Sequence, residues 1–112
     1  MEVIEQSKEP TLKQADWELD FYSRPIIEVD GKKRWELLIT TSASIKEEKP
    51  FRWEKICPAN EVNSIWLTKA LKEAISDAQM QGWDIPIKLR CWRSSMKTMV
   101  KRAASEIQLD VI

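Results

Sequence analysis

The chain of 112 residues contains no histidine. Ser-His and Cys-His nucleophile pairs are therefore excluded, as are metal sites built on imidazole. Cys57 and Cys91 are the only cysteines, whereas small secreted scaffolds usually carry about four to eight, and two cannot make a structural zinc site alone. We therefore expect free thiols in a reducing compartment, no catalytic residues, and neither a metal nor a cofactor.

Glycine, proline and long apolar runs are also scarce. The sequence has two glycines and five prolines, whereas 43% of its residues are apolar and six are tryptophans. This composition favours a packed domain over low-complexity sequence. No apolar run approaches the roughly 18 residues that a membrane span needs. The acidic first residues resemble neither a signal peptide nor a transit peptide. We expect a cytoplasmic protein without a membrane span.

Hydrophobic periodicity predicts one α+β domain at residues 16–112, preceded by a flexible polar tail at residues 1–15. Alternation predicts five strands, at residues 17–22, 35–41, 51–56, 85–92 and 109–112. Three- and four-residue spacings predict helices from Asn60, as N-cap, to Gly82 and from Ser94 to Ile107. The segment 42–50 is a predicted loop. The order β-β-β-α-β-α-β, with a mixed sheet, is the order found in ribonuclease-H-like folds.

A predicted hairpin turn, a predicted strand break or bend and four tryptophans support this arrangement. Asp30-Gly31 is a hairpin signal between the first two strands, and Arg24-Pro25 should end or bend the first strand. The core-facing positions of the pattern hold large aromatic side chains, which we interpret as packing. These are Trp17, Trp35, Trp53 and Trp66.

Charge is balanced overall, with 18 basic and 18 acidic residues, but it is unevenly placed. Between Ile85 and Ser105 there are six cations and no acid, whereas residues 1–20 hold six acids and two lysines. The candidate nucleic-acid-binding residues of this segment are Lys88, Arg90, Trp92, Arg93, Lys97, Lys101 and Arg102. Cations bind phosphates, and an exposed tryptophan can stack on an unpaired base. The other interpretation is a solvated helix face with Trp92 in the core.

Other polar residues permit functional or structural readings. Tyr22 and Arg24 at the end of the first strand, and Asn63 in the first turn of the long helix, are candidate accessory nucleic-acid contacts. Arg24 can equally pair with a carboxylate, and Asn63 can support the helix start. A two-metal nuclease would need converging carboxylates such as Asp20 with Glu61 or Glu73, but this set is incomplete.

Three sequence blocks resemble a family from oxygenic phototrophs. They are WELDFYSRPI with GKKRWELLI (17–26 and 31–39), CPANEVNSIWL (57–67), and KLRCWR (88–93) with Met96 and Met99. The family comprises RNA-binding translation activators for photosystem reaction-centre subunits of chloroplasts and cyanobacteria. Members of this family continue into a second, larger domain, so we expect the chain to be the N-terminal domain, either free-standing or as a fragment, with the larger C-terminal domain absent.

The resemblance implies binding of A/U-rich, single-stranded leader RNA in support of photosystem I, and also photosystem II, biogenesis. It further implies a cyanobacterial cytoplasm and other photosystem biogenesis proteins as partners. The alternative is a protein-interaction domain that contacts partners through its acidic amino end or a sheet edge, without RNA.

Overall fold

A five-stranded mixed sheet carries two helices on one face in the computed structural model, which describes residues 12–42 and 50–112. The strands are β1 (Trp17–Ile27), β2 (Lys33–Thr41), β3 (Arg52–Cys57), β4 (Lys88–Cys91) and β5 (Asp110–Val111). The helices are α1 (Ser64–Met80) and α2 (Lys97–Ser105). Short 3₁₀ turns lie at Ala59–Glu61 and Ser94–Met96.

The spatial strand order is β3-β2-β1-β4-β5. β1, β2 and β3 pair antiparallel, while β4 is parallel to β1 and β5 is parallel to β4. This confirms the predicted single α+β domain with an antiparallel meander followed by parallel strands. The order is consistent with the ribonuclease-H-like arrangement suggested by the sequence.

Most of the predicted tail and loop, residues 1–11 and 43–49, lie outside the described residues. Folded contacts nevertheless begin before Asp16, the predicted start of the domain. Lys13 forms a parallel bridge with Trp83, its N–H donating to the carbonyl of Gly82 at 2.8 Å, and Ala15 is buried. The backbone of residues 13–15 is therefore part of the domain.

The core lies between the sheet and the helices. Trp17, Leu19 and Phe21 of β1 are fully buried, as the alternation predicts. Phe21 stacks on Trp66 of α1 with ring centroids 5.5 Å apart and meets Trp35 edge-on at 5.7 Å. Such aromatic pairs contribute about 0.5–1.5 kcal/mol each beyond their buried area. Trp35, Trp53 and Trp66 are half-buried against this core, which confirms their packing role.

The β1–β2 hairpin is longer than predicted. Arg24-Pro25 bends β1 without ending it, because pairing resumes at Ile27 after a register shift. The Asp30-Gly31 turn is confirmed: Gly31 has φ +81°, and its N–H donates to the carbonyl of Glu28 at 2.9 Å.

Helix α1 begins later than predicted, and the expectation that Asn60 is its N-cap is wrong. Asn60 lies in the 3₁₀ turn that follows Pro58, and the cap is Asn63, whose side chain accepts the Trp66 N–H at 2.8 Å. At the other end Gly82 has φ +92°, and the Trp83 N–H returns to the carbonyl of Ala78 at 2.9 Å. Gly82 thus follows the helix in the left-handed conformation that favours glycine.

Strand β4 is shorter than predicted. Ile85 and Ile87, which lie within the predicted strand at residues 85–92, are 44% and 59% exposed, and ladder pairing between β1 and β4 starts only later in the strand. Pro86 explains the difference because it has no N–H to donate to a ladder, and its own ring is buried. Helix α2 likewise starts at Lys97, after the 3₁₀ turn, instead of at Ser94. None of the described helices is long and apolar enough to cross a membrane.

Candidate nucleic-acid interface

The sheet face opposite the helices is polar, and we call it the open face. Because side chains alternate along a strand, burial of Trp17, Leu19 and Phe21 places Glu18 and Asp20 on the open face. Glu18 lies beside Arg90 in the parallel register of β1 and β4. The open face therefore brings together residues that are far apart in sequence.

Trp92 lies at the end of β4 on this face. Its N–H donates to the carbonyl of Leu19 at 2.9 Å, and its indole Nε1–H donates to Glu18 Oε1 at 2.8 Å. The side chain is 65% exposed and forms one wall of a shallow groove whose other lining includes Leu38 and Thr40. The interpretation that Trp92 packs in the core is wrong: its ring is fixed at one edge and open to solvent.

Lys88 and Arg90 precede this tryptophan on β4, and alternation along the strand places them on the same face of the sheet. Both are exposed, since the residue between them, Leu89, is the one that enters the core. Within residues 12–42 and 50–112, neither side chain has an ion-pair partner. Their charges are available to an anion.

Arg93 is held differently. Its Nε donates to Asp20 Oδ1 at 2.7 Å, a second nitrogen lies 3.4 Å from Oδ2, and the guanidinium lies over the Tyr22 ring at 5.2 Å. The bidentate carboxylate neutralises much of its positive field. Arg93 is therefore a weaker phosphate ligand than its neighbours on β4.

The remaining predicted cations lie on α2, where they diverge. Lys97 is near the end of β4, close enough to Cys91 to act on its thiol, although burial has the larger effect and raises the pKa of Cys91. Lys101 lies one turn further along the same side of α2. Arg102 is turned about 100° from Lys101 around the helix axis. The structure thus does not gather all the predicted cations into one patch.

Arg102 faces α1 across what we call the helix groove. The groove is lined by Arg102 and Glu106 of α2 and by residues of the first half of α1: Ser64, Ile65, Thr68, Lys69 and Lys72. Lys69 and Lys72 are exposed cations that the sequence analysis did not select.

The family model described as "RNA-binding protein Tab2/Atab2 N terminal" matches residues 16–112. The chain belongs to this family. Protein TAB2 homolog, chloroplastic, of Arabidopsis thaliana is 38% identical over 98 residues, which are 87% of this chain and 24% of that protein. The protein of the same name in Zea mays is 34% identical over 97 residues, 87% of this chain and 23% of its own length. No solved structure matches the chain.

The chain spans about a quarter of the length of these two relatives. The predicted resemblance is thereby confirmed for the N-terminal region of the family, which is the region that the matching family model describes.

The accessory residues of this Tab2/Atab2 N-terminal domain have partners within the fold. The Tyr22 hydroxyl donates to Glu36 at 3.1 Å, Arg24 pairs with the same carboxylate at 3.3 Å, and Asn63 caps α1. Burial and this hydrogen bond raise the pKa of Tyr22. These contacts account for all three side chains, and an additional role in RNA binding stays a prediction.

The carboxylates considered for a nuclease do not converge in this Tab2/Atab2 N-terminal domain. Asp20 is engaged by Arg93, Glu73 is paired with Lys55 at 2.7 Å, and Glu61 lies in the 3₁₀ turn. In the part of the chain that the structure describes, no group of three or more potential metal ligands occurs. Both cysteines are free thiols, and burial together with Glu61 raises the pKa of Cys57 to about 12.

Sequence reasoning missed the acids that position the basic segment. Glu18 holds Trp92 and Asp20 holds Arg93, across 74 and 73 residues of sequence. The alternation that predicts the strand at residues 17–22 also implies that both acids share one face of it. The signal that would have found them is the strand order, because a ribonuclease-H-like order sets β4 beside β1.

Proposed function

We propose that this domain binds single-stranded RNA, with Trp92 stacking on a base and Lys88, Arg90, Lys97 and Lys101 contacting phosphates. The observation that carries the proposal is the exposed indole of Trp92, fixed by Glu18 beside unpaired cations. The description of the family as RNA-binding supports the same class of ligand. The role is one of binding and not of catalysis.

Base stacking and phosphate contacts contribute to RNA affinity in different ways. Stacking of a base on an aromatic side chain contributes about 1–3 kcal/mol and tolerates any base. Each phosphate neutralised on a single strand steepens the salt dependence of log K by about 0.7. Arg93 adds less because Asp20 already holds its guanidinium.

We further propose A/U-rich leader RNA of photosystem subunit transcripts as the target, with translation or biogenesis of those subunits as the outcome. The choice of target rests on the resemblance to the family and not on the site, because stacking on Trp92 does not select a base. Other photosystem biogenesis proteins are proposed partners. The relatives are named chloroplastic, whereas a cyanobacterial cytoplasm stays a prediction for this chain.

Fluorescence anisotropy with labelled single-stranded RNA at several salt concentrations tests the proposal. Replacing Lys88 and Arg90 with glutamine should lower the salt slope by about 1.4, the product of two contacts and 0.7. The matched control replaces Lys32 and Lys33, two exposed lysines at the hairpin turn, and should leave the slope unchanged. Absence of RNA binding by the wild-type domain, or an affinity insensitive to salt, overturns the proposal.

A protein-interaction role is the second candidate, favoured by exposed aliphatic side chains at the hairpin end. Ile27, Val29 and Ile56 are all exposed there. Under this alternative, RNA retention from cell extracts is absent or unaffected by replacing Lys88 and Arg90. Partner proteins are then lost when Ile27 and Val29 are replaced by serine.

A further inference from the structure

We infer that the helix groove between α1 and α2 binds RNA backbone phosphates and gives the domain a second RNA contact surface on the side opposite the open face. The inference rests on the proposed RNA-binding function. It adds Lys69 and Lys72 to the binding residues and assigns Arg102 to this groove.

The groove has the charge that such a ligand needs. Its volume is about 440 Å³, and its walls carry Lys69, Lys72 and Arg102 against a single acid, Glu106. Lys69 and Lys72 are three residues apart on α1 and therefore lie on neighbouring turns of one face. Among the described residues, none of these three cations has an ion-pair partner.

The other acids of α1 do not offset this charge. Glu73 pairs with Lys55 of β3 at 2.7 Å, and Asp77 accepts a hydrogen bond from Trp53 Nε1 at 2.8 Å. Both carboxylates are thus directed to the β3 side of the helix. On the groove side of α1, Lys69 and Lys72 therefore meet one acid, Glu106, among the residues that line the groove.

The open face carries a mixture of charges. Besides the unpaired Lys88 and Arg90, it holds three acid–arginine pairs, Asp20 with Arg93, Glu36 with Arg24 and Glu54 with Arg52. Unpaired cations are therefore better represented on the helix side, although the exposed aromatic ring lies on the open face. Phosphates follow unpaired charge, whereas bases follow aromatic surface.

The lining favours an RNA backbone over the competing occupant, an acidic protein segment. Ile65, which is 71% exposed, is the one large apolar residue among those that line the groove, and the lining has no aromatic side chain of the kind that anchors protein partners. The cations also continue beyond it, because Lys97 and Lys101 share α2 with Arg102. A strand held at Trp92 can therefore pass around α2 and remain in contact with positive charge.

The test compares Lys69→Gln/Lys72→Gln with the control Lys32→Gln/Lys33→Gln in anisotropy titrations with labelled single-stranded RNA. Both variants remove two exposed lysines, so the change in net charge is the same. The groove variant should have a salt slope lower by about 1.4, because each of the two lost contacts contributes about 0.7 to the slope of log K against log salt. Over one decade of salt concentration, down to 0.1 M, this amounts to about 25-fold weaker binding. Glutamine is a good helix former, and circular dichroism verifies that α1 is intact.

The outcomes separate this inference from the proposed function. If the groove variant binds RNA as the control does, the inference is overturned while RNA binding through Trp92 stands. If the wild-type domain binds no RNA, the proposed function itself fails. If the groove variant keeps its RNA affinity but loses a protein from cell extracts that the control retains, the groove is a protein-docking surface and the inference is again overturned.

Oligomer length provides a second readout. An RNA too short to reach both surfaces should bind equally well to the wild-type domain and the groove variant when a base is held at Trp92. A longer RNA should distinguish them, because the second contact is then intramolecular. Equal discrimination at every length would contradict two surfaces.

Discussion

Replacement of Trp92 by alanine should weaken RNA binding without changing its dependence on salt. The indole is 65% exposed, and its one hydrogen bond within the described residues that involves the ring, Nε1 to Glu18, lies at the surface. Alanine removes the stacking surface, while Glu18 regains its hydration. The fold should remain intact because the ring contributes little to the core.

The expected loss follows from the stacking energy. About 1–3 kcal/mol per stacked base corresponds to roughly a 5- to 150-fold increase in Kd, since each 1.4 kcal/mol is tenfold. Stacking releases no counterions, so plots of log K against log salt for the variant and the wild type should be parallel. Replacement of Lys88 and Arg90 should instead change the slope.

Three further variants locate the effect in the ring and its anchor. Trp92→Phe keeps an aromatic face and should retain most of the affinity. Glu18→Gln keeps an acceptor for Nε1 and should bind at least as well as the wild type, because it also removes a negative charge near the RNA. Glu18→Ala frees the indole and should bind less tightly than Glu18→Gln.

The measurement is fluorescence anisotropy of labelled single-stranded RNA at several salt concentrations. Ile27→Ala is the matched control, because Ile27 is 62% exposed and lies at the far end of β1. Unchanged affinity of Trp92→Ala would refute the stacking role. A reduced slope for this variant would show that its loss is electrostatic and would equally refute it.

Three further predictions concern the anchors and the fold. Asp20→Asn should release Arg93 and raise the salt slope towards one more phosphate contact, about 0.7, and an unchanged slope in the same titrations would contradict this. Asn63→Ala should lower the free energy of unfolding in urea by about 1 kcal/mol through loss of the α1 cap, whereas Asn63→Asp should not; equal losses would exclude a capping role. The folded pKa of Cys57, about 12, lies above its ordinary value of 9.0, so the folded state keeps a proton that the unfolded chain loses. The contribution of the Cys57 thiol to the free energy of unfolding is complete below pH 9 and is lost as pH rises towards 12. The stability difference between the wild type and Cys57→Ala should therefore narrow over that pH range, and a constant difference would refute the shift.

The hydrophobic pattern of the sequence predicted the strands and helices whose structure depends on neighbouring residues. Strict alternation from Trp17 to Phe21 identified β1 because every second side chain enters the core. The same reasoning failed at Ile85 and Ile87, where Pro86 prevents the ladder from starting. The cap of α1 was misplaced because Asn60 and Asn63 are both good N-caps, and the 3₁₀ turn after Pro58 decides between them.

The candidate site was harder to predict because its state depends on pairing between distant strands. The basic segment groups Arg93 with Lys97 and Lys101, but Arg93 lies before the helix and is engaged by Asp20. Lys69 was overlooked because charge was counted along the basic segment, and its neighbour in the helix groove, Arg102, is remote in sequence. A count of charges along the chain cannot detect that Lys69 and Arg102 lie close together, because the packing of α1 against α2 brings them together.

The acids of the open face explain why the basic last quarter of the chain does not act as one surface. Glu18 and Asp20 hold Trp92 and Arg93 in place, but each carboxylate also lowers the positive potential beside the groups it orients. A face that fixes an aromatic ring in this way is suited to a base, whose contact is short-ranged. Phosphates respond to net potential, which is least offset where Lys69, Lys72 and Arg102 meet a single acid. The same balance of charges therefore assigns the stacked base to the sheet, beside the phosphate contacts of Lys88 and Arg90, and assigns further backbone contacts to the helices.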